Sequence, residues 1–278
     1  MTSEGPVEVV PDRLYALGGS VPIDGRVSWA PDTARGSQPV SCYLLRTNRV
    51  ALLVDTGLTY HREAIVAQIR DLLPPGLSLR IFLTRSELDC VGNLTALSEA
   101  FAIDAIYTGG NTNPFDAFDS VTSLGSGRRV PIHRIAIGSR LDLGGSGQLE
   151  VLAPSLRILT TYWLYDPESR TLFTSDSFGH TMNAPGADQR ILGSAEFDPA
   201  SARAHMLAKF RWLVSADTRP LIEILEGIFA DHEIDVIAPT HGLVLRGREA
   251  IEAHHRFVLS LLSDLAAGSE RDRMKRSA

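Results

Sequence analysis

The most constraining feature of this chain is a set of short apolar runs that each break off into polar residues. Residues 51–54 (ALLV) run into Asp55, Thr56 and Gly57, and residues 81–84 (IFLT) into Arg85, Glu87, Asp89 and Cys90. Residues 171–175 (TLFTS) run into Asp176, and residues 236–240 (VIAPT) into His241 and Gly242. Apolar runs of this length fit strands buried on both faces. Polar residues just past such strand ends gather on one rim of an α/β sandwich, where sites are built. Alone, each cluster is weak, since Asp-Thr-Gly is often a turn and a histidine before glycine a loop residue. Together they point to one site.

Further β-type segments fall at 7–17, 40–47, 50–55, 80–83, 104–108, 132–137, 148–152, 162–166, 171–175 and 234–238. Residues 62–73 place Ile65, Ile69 and Leu72 on one helical stripe that stops at Pro74 and Pro75. Helical spacing recurs at 199–216, 219–232 and 247–266. Strands and helices therefore alternate in a single α/β domain spanning 1–278, with its core at about 7–260 and a polar tail at 268–278. Two stretches rich in Gly, Pro, Ser, Asn and Asp, 18–39 and 109–130, read as long loops that cover a site or vary freely. No internal repeat marks a second domain.

Composition narrows the function classes. With 44% hydrophobic and 22% charged residues, the chain can bury a large core. Its 27 basic against 33 acidic residues, a net charge of -6, argue against a nucleic-acid partner. Two distant cysteines, Cys42 and Cys90, no signal-like start and no apolar run of membrane-spanning length lead us to expect a cytoplasmic protein with free thiols and no membrane partner.

Read in order, LLVDTG, TRSELDCVGN, LAPSLR, TLFTSDSFG and APTHG resemble the successive metal-site motifs of the metallo-β-lactamase superfamily. Glu87 two residues before Asp89 is similar to the oxygen-binding di-iron branch, the catalytic half of flavodiiron proteins, whose first motif is His-x-Glu-x-Asp-His. The resemblance spans about residues 7 to 260 and implies an αββα sandwich. It places Glu87 and Asp89 as carboxylate ligands, Asp176 as the bridging aspartate and His241 as the last histidine. It also places Arg85 at the first histidine, Cys90 at the third ligand of that motif, and Arg157 at a histidine following Ala-Pro-x-Leu. No flavodoxin half is expected, and so no FMN.

Guanidinium has five donors and no lone pair, so arginine cannot ligate a metal. The resemblance assigns one iron to the positions of Arg85, Glu87, Arg157 and Asp176, two of which have become cationic. An arginine about 5 Å from a dication is repelled by roughly 7 kcal/mol at an effective dielectric near 20, which is enough to empty this degenerate first position. The arginines are then expected to face Glu87 and Asp176 and replace coordination with salt bridges; the alternative leaves them pointing outward. The second position keeps Asp89, Cys90, Asp176 and His241, donors suited to one zinc or iron, although Cys90 reads equally as a small buried hydrophobe. The cofactor expectation is thus no metal or one ion. Without metal, the neighbouring carboxylates should raise the His241 pKa.

Among other residues, His180 and Trp29 are candidates to line the pocket, Trp29 as a lid aromatic. Tyr162 and Trp163 read as sheet core, and His254 and His255 as solvated on the last helix. Residues 144–150 (GGSGQLE) read as a hairpin turn, and no Gly-x-Ser-x-Gly elbow is present. Three functions follow. The first is a stand-alone, divergent di-iron-type domain with its dinuclear chemistry impaired or lost, in a redox-linked, sensory or partner-binding role. The second is a mononuclear hydrolase activating water at Asp89, Cys90, Asp176 and His241. The third is a silent subunit pairing with a homologue or itself. A small-molecule ligand fits the first two.

Overall fold

In the structure, a computed structural model, the residues described are 5–110, 114, 130–144, 148–156 and 160–277, with side chains up to 268. Their strands form two seven-stranded sheets. The first runs, in spatial order, β1 (Val7–Val10), β2 (Leu14–Ile23), β3 (Gly36–Arg46), β4 (Val50–Val54), β5 (Ser78–Leu83), β6 (Ile103–Thr108) and β7 (Ile132–Arg134). The second runs β12 (Ile191–Leu192), β14 (Val244–Arg246), β13 (Val236–Pro239), β11 (Thr171–Ser175), β10 (Trp163–Asp166), β9 (Gln148–Leu152) and β8 (Arg140–Asp142). Helices α1 (Arg62–Leu72), α2 (Leu88–Val91) and α3 (Leu94–Ala100) accompany the first sheet. Helices α4 (Pro199–Lys209), α5 (Arg219–Asp231) and α6 (Arg248–Ser277) accompany the second.

The period of two explains the layering. On β4, Val50, Leu52 and Val54 face the second sheet with Tyr43, Phe82, Phe173 and Val236, while Ala51 and Leu53 face α1 with Ile65 and Ile69. Across the sandwich, Leu172 and Ile237 face Met206, Leu225, Ile251 and Leu262 of the other helical layer. Every β4 residue is therefore buried, each large side chain contributing about 1.5–3 kcal/mol. The result is the expected αββα order. β4 and β5 are parallel in one sheet, and β11 and β13 are parallel in the other. All four carry their polar clusters past their C-terminal ends.

Several sequence readings need correction. Segment 7–17 is two strands, separated by a turn in which Asp12 takes a left-handed φ of 56°. The two ends of the loop expected at 18–39 are strand, residues 18–23 and 36–39, because β2 pairs with β3 from Leu14↔Leu45 out to Ile23↔Gly36 and tertiary pairing overrides the Gly and Pro content, while 24–35 remain loop. Helix 199–216 breaks at Phe210 into α4 and a 3-10 turn, Arg211–Ser215. The polar tail at 268–278 instead continues α6 to Ser277. Strands β8, β12 and β14 and helices α2 and α3 were too short to announce themselves. Most of loop 109–130 and turn residues 145–147 lie outside the described residues. Among the described residues, no helix is long and apolar enough to cross a membrane.

Candidate functional site

Four strand ends build the rim. Asp55 follows β4 with φ 61°, a conformation costly to non-glycine residues, and its buried carboxylate braces three strands. It accepts the Thr84 N–H and hydroxyl, each at 2.8 Å, and the Thr240 hydroxyl at 3.3 Å. Burial raises the Asp55 pKa against the pull of Arg85 and these donors. Ser175, at φ 53°, turns the end of β11 toward Asp176. The loop carrying His241 is sewn to β3, with Ser41 N–H donating to Thr240 O and Gly242 N–H to Pro39 O.

Arg85 turns inward. Its buried guanidinium donates from Nε to Glu87 Oε2 at 2.8 Å, from Nη1 to Ser175 Oγ, and from Nη2 to Asp89 Oδ2, and lies 2.7 Å from Asp176 Oδ1. Burial alone would raise the Asp89 pKa, but Arg85 and the His241 hydrogen bond hold it well below the usual carboxylate range. Lys209, the last residue of α4, places Nζ 3.2 Å from the same Asp176 oxygen.

His241 Nε2 donates to Asp89 Oδ2 at 2.6 Å and lies 3.6 Å from Asp176 Oδ1. Its pKa falls to about 4 because burial and Lys209 outweigh Asp89, which reverses the rise expected from the carboxylates. The imidazole is therefore neutral near pH 7, and Nδ1 has no hydrogen-bond partner among the described residues. Asp89, Asp176 and His241 each bring one ligand-type atom to within 4.8 Å of the others.

The fourth expected ligand is not part of that trio. Cys90 is fully buried among Leu53, Ile65 and Ile81, its Sγ 3.6 Å from Thr84 Oγ1, and burial lifts its thiol far above the ordinary range. Glu87 is half-buried at the edge of the Arg85 network, and Arg157 lies outside the described residues. Trp29 lies edge-on to His241, with ring centroids 4.8 Å apart and its indole N–H on Gln38 Oε1. His180 instead turns to the last helix, where its Nε2 meets His254 Nδ1 at 2.8 Å. His254 is wholly buried and His255 stacks on Phe229, so neither is solvated as the sequence suggested. Trp163 is sheet core as read, while Tyr162 is buried with its hydroxyl on Gly109 O.

Sequence reasoning missed Lys209, Ser175, Gln38 and His205. A lysine ending an amphipathic helix ordinarily reads as a solvated charge complementing the helix dipole, so nothing local marked it. Buried Gln38 donates to Gly179 O and Thr181 O and reaches His205 Nε2 at 3.4 Å. Burial, then Lys209, pushes the His205 pKa down to about 3.

A family model described as ODP family beta lactamase matches residues 39–242, from the middle of β3 to the glycine after His241. The chain belongs to that family. Solved structures similar to this ODP-family chain include the rubredoxin oxygen:oxidoreductase of Desulfovibrio gigas (20% identity, TM-score 0.68) and the flavodiiron protein of Giardia intestinalis (16%, 0.66). Each match covers 95% of this chain and 61% and 60%, respectively, of those proteins, so the chain spans about three fifths of their length. A metallo-beta-lactamase from Pontibacter korlensis, at 16% identity and TM-score 0.54, matches over 93% of this chain and 98% of its own. The comparison with curated proteins gave no match. The ODP-family fold is thus shared with flavodiiron proteins and with a metallo-beta-lactamase.

Proposed function

We propose that this ODP-family chain does not run dinuclear metal chemistry and serves instead in a redox-linked, sensory or partner-binding role. One observation carries the reading: Arg85 sits inside the rim and spends its guanidinium on Glu87, Asp89 and Asp176. The donor set supports it. The pair of ions implied by the family would need oxygens that Arg85 already holds, and a guanidinium offers no lone pair in exchange. The residues present therefore do not fit two metal ions. On this reading the chain needs no flavin, and the network holds the rim together in place of coordination.

The second reading, one ion serving a hydrolase, draws on the convergence of Asp89, Asp176 and His241. Metal analysis of protein expressed with iron and zinc and purified without chelator separates the two. Well under 0.1 equivalent of metal per chain, of the order left by nonspecific carry-over, is the expected outcome. One tightly held equivalent of zinc or iron would favour the hydrolase, and two equivalents of iron with oxygen or nitric oxide reduction would overturn the proposal.

A further inference from the structure

The disagreement between this donor set and a metal pair extends beyond Arg85. We infer that Lys209 is a second built-in cation that excludes a metal ion from the space between Asp176 and His241, so that Arg85 and Lys209 must both be removed before an ion can bind there tightly. This deepens the proposed function, on which it rests, by giving the second ion position its own occupant.

Three observations carry it. First, Lys209 Nζ lies 3.2 Å from Asp176 Oδ1, the oxygen that Arg85 Nη2 approaches at 2.7 Å and His241 Nε2 at 3.6 Å. An ion bridging Asp176 and His241 at metal–ligand distances of about 2.0–2.2 Å would share that space with the ammonium. Second, Lys209 is kept there. Its side chain is only 8% exposed, and α4 is anchored by buried Ala202, His205 and Met206. Phe210, buried just past Lys209, pins the helix end. Third, Trp29 packs on His241, and Gln38 lies between Trp29 and His205. The ammonium therefore faces the Asp176 carboxylate inside the fold instead of water. Arg85 and Lys209 offset two of the three charges on Glu87, Asp89 and Asp176, which removes most of the pull these carboxylates would exert on a dication.

Titration of the full chain with cobalt(II) alone tests this, read by visible d–d absorption and by the shift in melting temperature. Wild type should bind no cobalt at about 1 mM, and Lys209→Met or Arg85→Met alone only weakly. The double variant should bind one equivalent at least about 100-fold tighter than either single variant, and adding His241→Ala should abolish that binding. Lys209→Gln serves where Lys209→Met does not fold, since it keeps a donor for Asp176 without the charge. In wild type, the shielded ammonium should also give a slowly exchanging 15N signal that Asp176→Asn removes. A folded double variant that binds no cobalt, a wild type that binds as well as Lys209→Met, or a fast-exchanging Lys209 ammonium would overturn the inference. Metal content of the native protein tests the parent reading separately.

Discussion

Replacing Arg85 with methionine should be costly, and the cost should depend on pH in a set direction. The guanidinium touches Glu87, Asp89, Asp176 and Ser175, and its side chain is 1% exposed while those of Asp89 and Asp176 are 8% and 3% exposed. Methionine fills much of the volume but leaves buried Asp89 without a cation and Asp176 with Lys209 alone, a change that costs about 3–5 kcal/mol. At about 2.1 cal/mol/K of unfolding entropy per residue, a chain of 278 residues loses melting temperature by about 5–9 K. The pH dependence follows from Asp89, whose folded pKa is depressed in the wild type. A depressed carboxyl contributes stability above its unfolded pKa of about 3.9, and that contribution fades as the pH falls below it. In the variant, burial instead raises the same carboxyl, so acidification relieves the defect. Thermal melts of both proteins from pH 7 to pH 4 should show the widest gap at pH 7 and a narrowing gap toward pH 4. Melting temperatures within about 1 K of each other at pH 7, or a gap that widens on acidification, would refute the reasoning.

Two more outcomes follow from the packing. Cys42 and Cys90 are both fully buried with their thiols shifted upward, so a thiol reagent at pH 8 should label neither in the native protein and both in guanidinium; rapid native labelling of Cys90 would place it at the centre after all. Gly36→Ala should cost clearly more than about 1 kcal/mol in urea melts, because φ is 133° and a Cβ there would stand 2.0 Å from Asn183 O, breaking the Ser37–Asn183 pair. Gly76→Ala, at φ 84° with open space around it, is the control and should lose less.

Much of the fold was legible because it rests on local pattern. Val50–Val54 and Thr171–Ser175 are uniformly apolar or small, and runs of that kind are stable only between two covering layers. The stripe of Ile65 and Ile69 announced α1 for the same reason. The β2–β3 hairpin was misread since its Gly, Pro and Ser residues favour loops in isolation, and pairing across ten positions outweighs that preference. The late helix was cut short because a polar surface carries no stripe to follow.

At the site, the order of motifs along the chain already brought Arg85, Glu87, Asp89, Asp176 and His241 to one rim, because strand ends in parallel pairs must share an edge. Residue chemistry also settled that a guanidinium cannot act as a ligand. Only the tertiary structure decided that Arg85 turns inward, that Cys90 drops into the apolar layer, and that the neutral state of His241 survives beside a carboxylate. Above all, it alone delivered Lys209 to Asp176 from a helix 33 residues further along the chain. Charges in contact across the fold leave no periodic or motif signature, because their interaction depends on distance and burial, which exist only once the layers have packed.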